Sequence, residues 1–395
     1  MQHELNILIL GNNGRESALA EAILRSTRCR HLYADYHALD NRLTHIELDP
    51  MDFATVADFC RRNDIDMVVV GPPEPITAGI RDFLSGTPEL SQLKIIAPTA
   101  SVARLEGSKE FAKEFMSENG IPSPRFMPVD EDTLDEGLSY LESMTPPYVI
   151  KADGLYDGRG VVICDELAEA KDILEDMVLD GSLGEAGRKV LIEEYIDGPE
   201  CSVIIALDGS DYVLLPIARD YKRLNDGDTG PNTPGMGAYS PVALADEEFI
   251  AKVEKHIILP TIRALKESET DYQGFLYFGL IAVEGEPVML EYNVRLGDPE
   301  AQAILPRITS DIVDMLESIA DRSLADYRIE ISDQSAVAVI LTDPETPTER
   351  TTVTAIADTL AEARAQVYAV IESICKRNEL SDAPQQIYFR TDIGG

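Results

Sequence analysis

Polar side chains of three kinds alternate with apolar ones in residues 291–295: a carboxylate at Glu291, an amide at Asn293 and a guanidinium at Arg295. Alternate residues of a β-strand face the same side, so a strand here would group these three side chains. Carboxylate and amide oxygens suit Mg²⁺, which also keeps waters and substrate phosphates as ligands. A guanidinium beside them can stabilise a transferring phosphoryl group. The pattern therefore favours a phosphoryl-transfer site over a solvent-facing polar stripe, and the turn at 297–299 supports that interpretation.

A glycine-rich loop, residues 151–160, connects two apolar runs that we interpret as strands. The loop contains one lysine and three glycines: Lys151, Gly154, Gly158 and Gly160. A P-loop would require Gly-Lys-Ser/Thr at the start of a helix, whereas a strand follows here. A mobile glycine-rich hairpin can close over a triphosphate, to which the lysine supplies a point charge. A plain hairpin turn is the alternative.

The segment 11–16 also combines glycines with charged residues. It follows an apolar run and contains Gly11, Gly14, Arg15 and Glu16. Glycines after a strand permit a sharp turn, and the next helix offers free N–H groups to a phosphate. A dinucleotide fingerprint would need a middle glycine that is absent here, although Asp35 could supply its acid. A phosphate-bearing substrate is therefore favoured over NAD, and a purely structural turn is the alternative.

Residues 220–237 form a polar segment in which Asp220, Lys222 and Arg223 precede Asn232 and Thr233. Gly, Pro, Asn and Asp are so frequent in 226–237 that we predict an irregular loop there. Such a loop beside basic residues suits an active-site cover better than a connector. A solvated charge cluster is the alternative.

The first hundred residues alternate apolar runs with helical patterns. Short β-branched runs at 6–10, 66–70 and 94–97 each end at Gly or Pro, and a helical pattern follows the first. Buried strands separated by helices predict a parallel sheet in an open α/β domain. A helical stretch is predicted around 101–120.

The order of predicted elements changes beyond residue 120, where strands follow one another without helices between them. The predicted strands lie at 148–151, 161–164, 190–194, 202–206, 275–283, 287–294, 336–341, 351–355 and 386–389. Residues 284–286 separate two of them as a hairpin turn. A helix at 360–374 is predicted to bury Leu360, Ala363, Val367, Val370 and Ile374 on one face.

Composition narrows the class of protein. The 395 residues suffice for two or three domains, and 44% of them are hydrophobic, which excludes global disorder. There are 34 basic and 71 acidic residues, a formal charge of −37. Such a surface repels phosphate backbones and anionic lipids, so we expect neither a nucleic-acid nor a membrane partner. A strongly solvated acidic surface is the simplest interpretation, and a salt-rich habitat would also fit.

The five cysteines are widely spaced, without a CxxC pair, so they indicate neither a zinc site nor a disulfide framework. No signal peptide or membrane span is predicted. We therefore expect a cytoplasmic protein with reduced thiols.

Together these features suggest a phosphate-binding α/β domain, a flexible hairpin over a nucleotide and a magnesium-bearing strand, the layout of ATP-grasp ligases. The sequence resembles the phosphoribosylamine–glycine ligase (glycinamide ribonucleotide synthetase) family of that superfamily along nearly the whole chain. The matching stretches include GNNGRE, LEGSKEFAKEFM, YVIKADG, LIEEYIDGPECS, DYKRLNDGDTGPNTPGMGAYSP and LEYNVRLGDPEAQ. The last two are specific in combination.

The resemblance implies a mixed α/β and α+β fold. It would comprise an N-terminal open α/β domain (1–100), a two-lobed ATP-grasp domain (101–330; lobes about 122–194 and 195–330) and a shortened C-terminal α+β domain (331–395). It also implies a reaction in purine biosynthesis: ATP phosphorylates glycine, and the amine of 5-phosphoribosylamine attacks the acyl phosphate. The products are glycinamide ribonucleotide, ADP and phosphate. The partners are then small molecules, and a monomer or dimer is expected.

The resemblance assigns roles to residues position by position. ATP would be held by Lys109, Lys151, Gly154, Gly158, Gly160, Glu193, Glu194, Tyr195, Ile196 and Glu200. Mg²⁺ or Mn²⁺ would be bound by Glu291 and Asn293. The expected catalytic residues are Arg295, Asp298, Lys222 and Arg223. The substrate side would be formed by Gly11, Gly14, Arg15, Glu16, Asp220, Asn232 and Thr233.

This sequence departs from the family at several positions. Ser17 and Tyr221 replace usual histidines, Arg159 replaces a lysine, residues 33–38 lack a PGNAG-type loop, and a segment is missing between 341 and 351. Two alternatives therefore stay open: a divergent ligase that joins another amine to an amino acid, and a nucleotide-binding relative without turnover. A nicotinamide-dependent oxidoreductase is a more distant one.

Overall fold

A five-stranded parallel sheet forms the N-terminal part of the chain. The computed structural model describes residues 4–156, 160–181, 184–268, 270–343, 350–379 and 386–395. The strands, in the order β3-β2-β1-β4-β5, are β1 Leu5–Leu10, β2 Cys29–Ala34, β3 Leu43–His45, β4 Met67–Val70 and β5 Lys94–Ile96. The helices are α1 Gly14–Arg25, α2 Phe53–Arg62, α3 Pro73–Thr77 and α4 Ile80–Ser85. Successive residues of β1, such as Ile7 and Leu8, enter different core clusters, so both faces of the sheet are buried. The predicted open parallel sheet is confirmed.

The helical stretch predicted around 101–120 is two helices. α5 covers Ala100–Gly107 and α6 covers Lys109–Glu118. Between them Ser108 is extended (φ −142°), and its hydroxyl oxygen accepts a hydrogen bond from Phe111 N. The predicted helical stretch is confirmed, and Ser108 divides it because serine competes for the backbone N–H groups that follow it. As a result Lys109 stands at the first position of a helix.

A four-stranded antiparallel sheet follows, in the order β6-β9-β7-β8. Its elements are β6 Phe126–Val129, α7 Leu134–Ser143, β7 Tyr148–Ala152, β8 Val161–Cys164, α8 Leu167–Glu175 and β9 Val190–Glu194. The two helices pack on one face, where Leu141 and Leu174 meet Ile150 and Ile192. β7 and β8 are joined by the glycine-rich loop, as predicted, and Gly158 and Arg159 lie outside the described residues.

A second antiparallel sheet has the order β11-β10-β16-β17. Its strands are β10 Glu200–Leu207, β11 Tyr212–Leu214, β16 Gly274–Val283 and β17 Glu286–Asn293. The predicted hairpin between the last two is confirmed, and Glu284 and Gly285 at its turn have positive φ (51° and 81°), as a tight two-residue turn requires. The helices of this region are α9 Glu247–Val253, α10 Leu259–Glu267, α11 Glu300–Ile304 and α12 Ile312–Ala320.

The third antiparallel sheet, in the order β12-β15-β18-β19, joins the polar segment to the C-terminal strands. Its elements are β12 Arg219–Asp220, β15 Gly237–Ser240, β18 Ser335–Thr342, β19 Arg350–Ala357 and the helix α13 Leu360–Glu379. A separate hairpin consists of β13 Arg223–Asn225 and β14 Thr229–Asn232. The predicted irregular loop at 226–237 is therefore partly wrong, because the Asp- and Gly-rich turn at 226–228 closes a hairpin.

Two further predictions for the C-terminal part need correction. Residues 386–389 are not a strand within the described part of the chain but contribute one bridge, between Tyr388 and Thr342. On α13, Val370 is 46% exposed and Ile371 takes its place in the core. The buried stripe runs through Ala363 and Val367 to Ile371, a spacing of four residues that keeps one face of a 3.6-residue helix.

None of the helices in the described part of the chain combines the length and the apolar character that crossing a bilayer requires.

Candidate functional site

The base of the glycine-rich loop is fastened to the N-terminus of α6. Asp153 accepts hydrogen bonds from Ser108 Oγ at 3.0 Å and Glu110 N at 3.2 Å, and from the backbone N–H of Lys109. The Lys109 ammonium in turn donates to the carbonyl of Gly154 at 2.7 Å. An acidic side chain is favourable at a helix N-terminus. These contacts bring the glycine-rich loop 151–160 next to Lys109, the lysine that follows the residues LEGS in the sequence.

Two lysines meet one buried carboxylate in this region. Glu193 Oε2 lies 2.8 Å from Lys151 Nζ and 3.2 Å from Lys113 Nζ. Burial alone would raise the pKa of Glu193, but the two ammonium groups outweigh it and hold the pKa below its usual value. Burial lowers the pKa of Lys113 to about 8. The Glu193 carboxylate, which was predicted to hold ATP, thus faces two lysines.

Two polar atoms of this cluster have no hydrogen-bond partner within the described residues: Glu193 Oε1, and Lys113 Nζ, whose ion pair with Glu193 Oε2 measures 3.2 Å. Buried polar atoms are nearly always satisfied in folded proteins. This points to a ligand or water between them. Lys113 was not singled out from the sequence, although its i, i+4 spacing from Lys109 on a helix was available as a signal.

Glu291 and Asn293 lie on β17 with the buried Tyr292 between them, so the alternation predicted for residues 291–296 is confirmed as far as Asn293, where the strand ends. Val294 and Leu296 are also buried, but they lie beyond the strand. Glu291 Oε1 is 3.3 Å from Lys222 Nζ, which is 3.6 Å from Glu200 Oε2. The Lys222 ammonium, helped by Lys151 and Lys109, lowers the pKa of Glu291 to about 2. The nucleotide-side lysines are therefore near enough to the strand carboxylate for their charges to interact, and we call the region between them the cleft.

Asp220 lies in a crowd of carboxylates on the same side. Burial, together with Glu300, Glu200 and Glu291, raises its pKa to about 7 against the opposing effect of Lys222. Lys222 itself keeps a pKa well above its usual value because three carboxylates surround it. This part of the cleft holds more negative than positive charge and suits a cation.

Arg295 is oriented by Glu106, another residue that the sequence reasoning missed. Glu106 accepts from Arg295 Nε at 3.0 Å and from Val294 N at 2.7 Å. Arg295 also donates to Asn293 Oδ1 at 3.3 Å. The carboxylate arrives from the last turn of α5, so the LEGSK stretch supports both the arginine and the start of α6. The only sequence signal for Glu106 was its position in the stretch LEGSKEFAKEFM, which matches the family.

The turn after β17 meets the N-terminal loop. Asp298 accepts from Arg15 N at 3.4 Å and from Gln302 Nε2 at 2.7 Å. A Cβ on Gly14 would lie 2.2 Å from Gln302 Nε2, and one on Gly235 would lie 2.4 Å from Pro299 Cδ. Glycine is required at Gly235, because its φ is +126° and the proline ring is rigid, whereas a Cβ on Gly14 would displace the flexible side chain of Gln302. Three motifs that are distant in sequence converge here.

The side chains of Arg15 and Glu16 are buried and bonded to each other at 2.6 Å. Glu16 also accepts from Asn13 N at 2.8 Å, and a Cβ on Gly71 would overlap its carboxylate. In this conformation the loop that begins at Gly11 therefore offers mainly backbone N–H groups to a ligand.

Several predicted residues lie at the margin of the cleft or turn toward local partners. Arg223 donates to Gly230 O at 2.9 Å within its own hairpin, where Asn232 is its cross-strand neighbour. Thr233 donates to the carbonyl of Lys222 at 3.0 Å. The remaining predicted residues lie at the end of β9 or in the glycine-rich loop 151–160, which we call the flap. At the end of β9, Glu194 pairs with Arg125, Tyr195 is exposed and Ile196 is half-buried. In the flap, the carbonyl of Gly160 accepts a hydrogen bond from Ala152 N.

Comparison with known proteins gives this arrangement a family. Residues 5–106 match the N domain of phosphoribosylglycinamide synthetase, and residues 107–301 match the ATP-grasp (A) domain of the same enzyme. A phosphoribosylamine–glycine ligase from Ralstonia nicotianae is 39% identical over 360 residues, 89% of this chain and 83% of the relative. The chain belongs to the phosphoribosylamine–glycine ligase family.

Solved structures agree with that membership. The crystal structure of the phosphoribosylamine–glycine ligase of Thermotoga maritima superposes with a TM-score of 0.79 at 28% identity, covering 98% of this chain and all of that one (100%). An ATP complex of carboxyaminoimidazole ribonucleotide synthase from Aspergillus clavatus gives a TM-score of 0.64 at 15% identity, covering 94% and 99%. The latter likeness concerns the fold alone. The predicted mixed α/β fold and the family resemblance are both confirmed.

Proposed function

We propose that this chain is an ATP-dependent ligase that joins glycine to 5-phosphoribosylamine, releasing glycinamide ribonucleotide, ADP and phosphate in purine biosynthesis. The observation that supports it best is the grouping of positive charge around Glu291, in a chain whose relatives carry that enzyme's name. Lys222 lies 3.3 Å from Glu291, and Lys151 and Lys109 also lower its pKa. The reaction passes through an acyl phosphate, so it needs positioning and charge stabilisation rather than a protein nucleophile.

On the nucleotide side, Lys109 and Lys151 supply two ammonium groups to the phosphates of ATP. Both border the flap, and Glu193 holds the Lys151 ammonium at 2.8 Å, which restricts where it can point. Lys113 Nζ and Glu193 Oε1, which have no hydrogen-bond partner among the described residues, meet the nucleotide or its bound water. The strand end at Tyr195 and Ile196 offers backbone groups for the base.

The residues at the end of β17 fit a divalent cation. Glu291 stays ionised because its pKa lies near 2, and Asn293 adds a neutral amide oxygen from the same strand face. Both are hard oxygen donors of the kind that Mg²⁺ and Mn²⁺ accept. When bound, such an ion neutralises charge on the phosphates. Lys222 now lies 3.3 Å from Glu291 and would share that carboxylate with the ion.

On the acyl side, Arg295 is held by Glu106, so its guanidinium can face the glycyl phosphate without losing its orientation. Asp298 and the backbone of the 11–16 loop form the neighbouring wall. The amine substrate lies between this wall and the side chains of Lys222 and Asp220. The phosphate of the amine substrate is received by backbone N–H groups at the start of α1.

The two alternatives are less favoured. The alternative of a ligase with another amine is suggested by residues 33–38, which lack the family's PGNAG-type loop. Tyr36 and His37 of this stretch line a surface cavity of about 380 Å³ together with Leu43 and His45. Relatives named phosphoribosylamine–glycine ligase nevertheless match 85–89% of the chain. The choice of Mg²⁺ or Mn²⁺, a monomer or dimer, and a cytoplasmic location stay predictions.

The test is an assay with ATP, Mg²⁺, glycine and freshly prepared phosphoribosylamine. ADP release should depend on both glycine and the amine, and mass spectrometry should detect glycinamide ribonucleotide. A panel of other primary amines and amino acids is run beside it. Stronger turnover with another amine would support the divergent ligase, and failure of ADP release with every pair would contradict a ligase.

A further inference from the structure

A buried arginine links the C-terminal segment 390–395 to the hairpin β13–β14. The side chain of Arg390 has no exposed surface. Its guanidinium donates to both carboxylate oxygens of Asp392, at 2.8 and 2.6 Å, and to Asp228 Oδ1 at 2.8 Å. It also donates to the carbonyl of Arg223 at 3.0 Å. One carboxylate belongs to the C-terminal segment and the other to the hairpin turn, so the arginine ties the two together.

Two arginines pack against the ring of Tyr221 in this arrangement. The guanidinium carbon of Arg390 lies 4.7 Å from the centre of its ring, and that of Arg219 lies 5.4 Å away. Its hydroxyl accepts from Gly394 N at 3.2 Å. Lys222, the next residue, extends to Glu291 on the cleft side. The backbone of Lys222 is therefore connected to Thr233 directly and to the C-terminal segment through Tyr221.

Further hydrogen bonds extend the attachment along the hairpin. Gly227 N donates to Asp392 Oδ2 at 2.8 Å, and Thr391 N donates to Asp226 Oδ1 at 2.8 Å. Tyr388 Oη donates to the carbonyl of Leu224 at 2.9 Å. The hairpin turn is thus bound to residues 388–392 on several sides and not only through Arg390.

We propose that Arg390 is a positioning residue: it fixes the hairpin so that Lys222 reaches the carboxylates of the cleft. The role of Lys222 rests on the proposed function, whereas the attachment itself does not. Arg390 acts through Tyr221 and the hairpin, because its polar contacts within the described residues are with Asp392, Asp228 and Arg223. If Arg390 were only structural, its replacement would lower the stability of the protein without a selective effect on hydrogen exchange in the hairpin or on turnover.

The test compares Arg390→Met with Arg28→Met in the full-length protein, below the onset of unfolding. Arg28 is a matched control because it is also buried and pairs with two carboxylates, Asp314 and Glu317, away from the hairpin. Hydrogen exchange of residues 219–237 should rise about tenfold in Arg390→Met only. The kcat should fall by about 10- to 100-fold, while the KM for ATP stays within about twofold. Equal exchange and equal kcat in the two variants would overturn the proposal.

A milder variant covers the case in which Arg390→Met does not fold. Thr391→Val alters an exposed residue and removes the hydrogen bond that its hydroxyl donates to the Asp226 carboxylate, while the backbone N–H of residue 391 keeps its own bond to Asp226. Exchange of the hairpin should rise by about threefold, and unchanged exchange would contradict the proposal. Because exchange is measured without substrates, a wild-type protein without ligase activity would refute the proposed reaction and still leave this result interpretable.

Discussion

The N-terminal loop and the nucleotide cleft use charged residues in opposite ways. In the loop, Arg15 and Glu16 are buried and neutralise each other at 2.6 Å. In the cleft, Lys113 and Glu193 are equally buried, yet each leaves an atom without a hydrogen-bond partner among the described residues. The first pair is complete without a ligand, and the second is not.

The difference separates residues that shape a site from residues that recognise a ligand. A closed buried pair adds rigidity, and removing one partner leaves an uncompensated charge. A cluster with unsatisfied atoms costs stability until something binds it. We therefore expect substitutions in the loop to act mainly on folding, and substitutions in the cleft to act mainly on turnover.

The largest effect is expected for Arg15→Met. It leaves the Glu16 carboxylate buried without its partner and should lower the free energy of unfolding by about 3–5 kcal/mol. Urea unfolding measures the loss, and the KM for ATP of the protein that remains folded should be unchanged. Arg61→Met is the control, because Arg61 is exposed and its ion pair with Asp58 contributes little. A fully stable Arg15→Met with weakened ATP binding would reverse the assignment of the two regions.

Lys151→Met should show the complementary behaviour. Removal of one charge that stabilises the transferring phosphoryl group should lower kcat/KM for ATP by about 10²–10³-fold. The midpoint of thermal unfolding should change much less than in Arg15→Met, because Lys113 still faces Glu193. Lys171→Met, which alters a lysine on the far helix α8 paired with Glu142, is the control. Wild-type kinetics in Lys151→Met would remove Lys151 from the nucleotide site.

The same contrast explains what could be predicted from the sequence. Strand alternation placed Glu291 and Asn293 on one face because a period of two is a local property of the backbone. Glycine positions predicted the flap and the N-terminal loop, because a glycine-rich turn is also a local property of the backbone. Local patterns were therefore sufficient for these features.

Contacts between distant segments could not be read in this way. The support of Arg295 by Glu106 and the attachment of Arg390 to Asp228 join segments that no periodicity connects. The sequence also did not reveal that Arg15 is satisfied by its own neighbour. Even the hairpin at 223–232 was missed, because turn residues alone do not indicate whether the flanking residues pair.

The smallest effect concerns Asp220, whose pKa of about 7 reflects burial among carboxylates. Because the folded-state pKa lies above the unfolded value, the folded protein binds more protons between about pH 4 and pH 7. Stability contributed by this group is complete below pH 4 and is lost as the pH rises through 7. Asp220→Asn removes this dependence, so it should gain more stability relative to wild type at pH 8 than at pH 5. The gain at pH 8 should be a Tm increase of roughly 2–4 °C. An equal change at both pH values would mean that Asp220 is ionised throughout, and that the cleft tolerates its excess negative charge even without a bound cation.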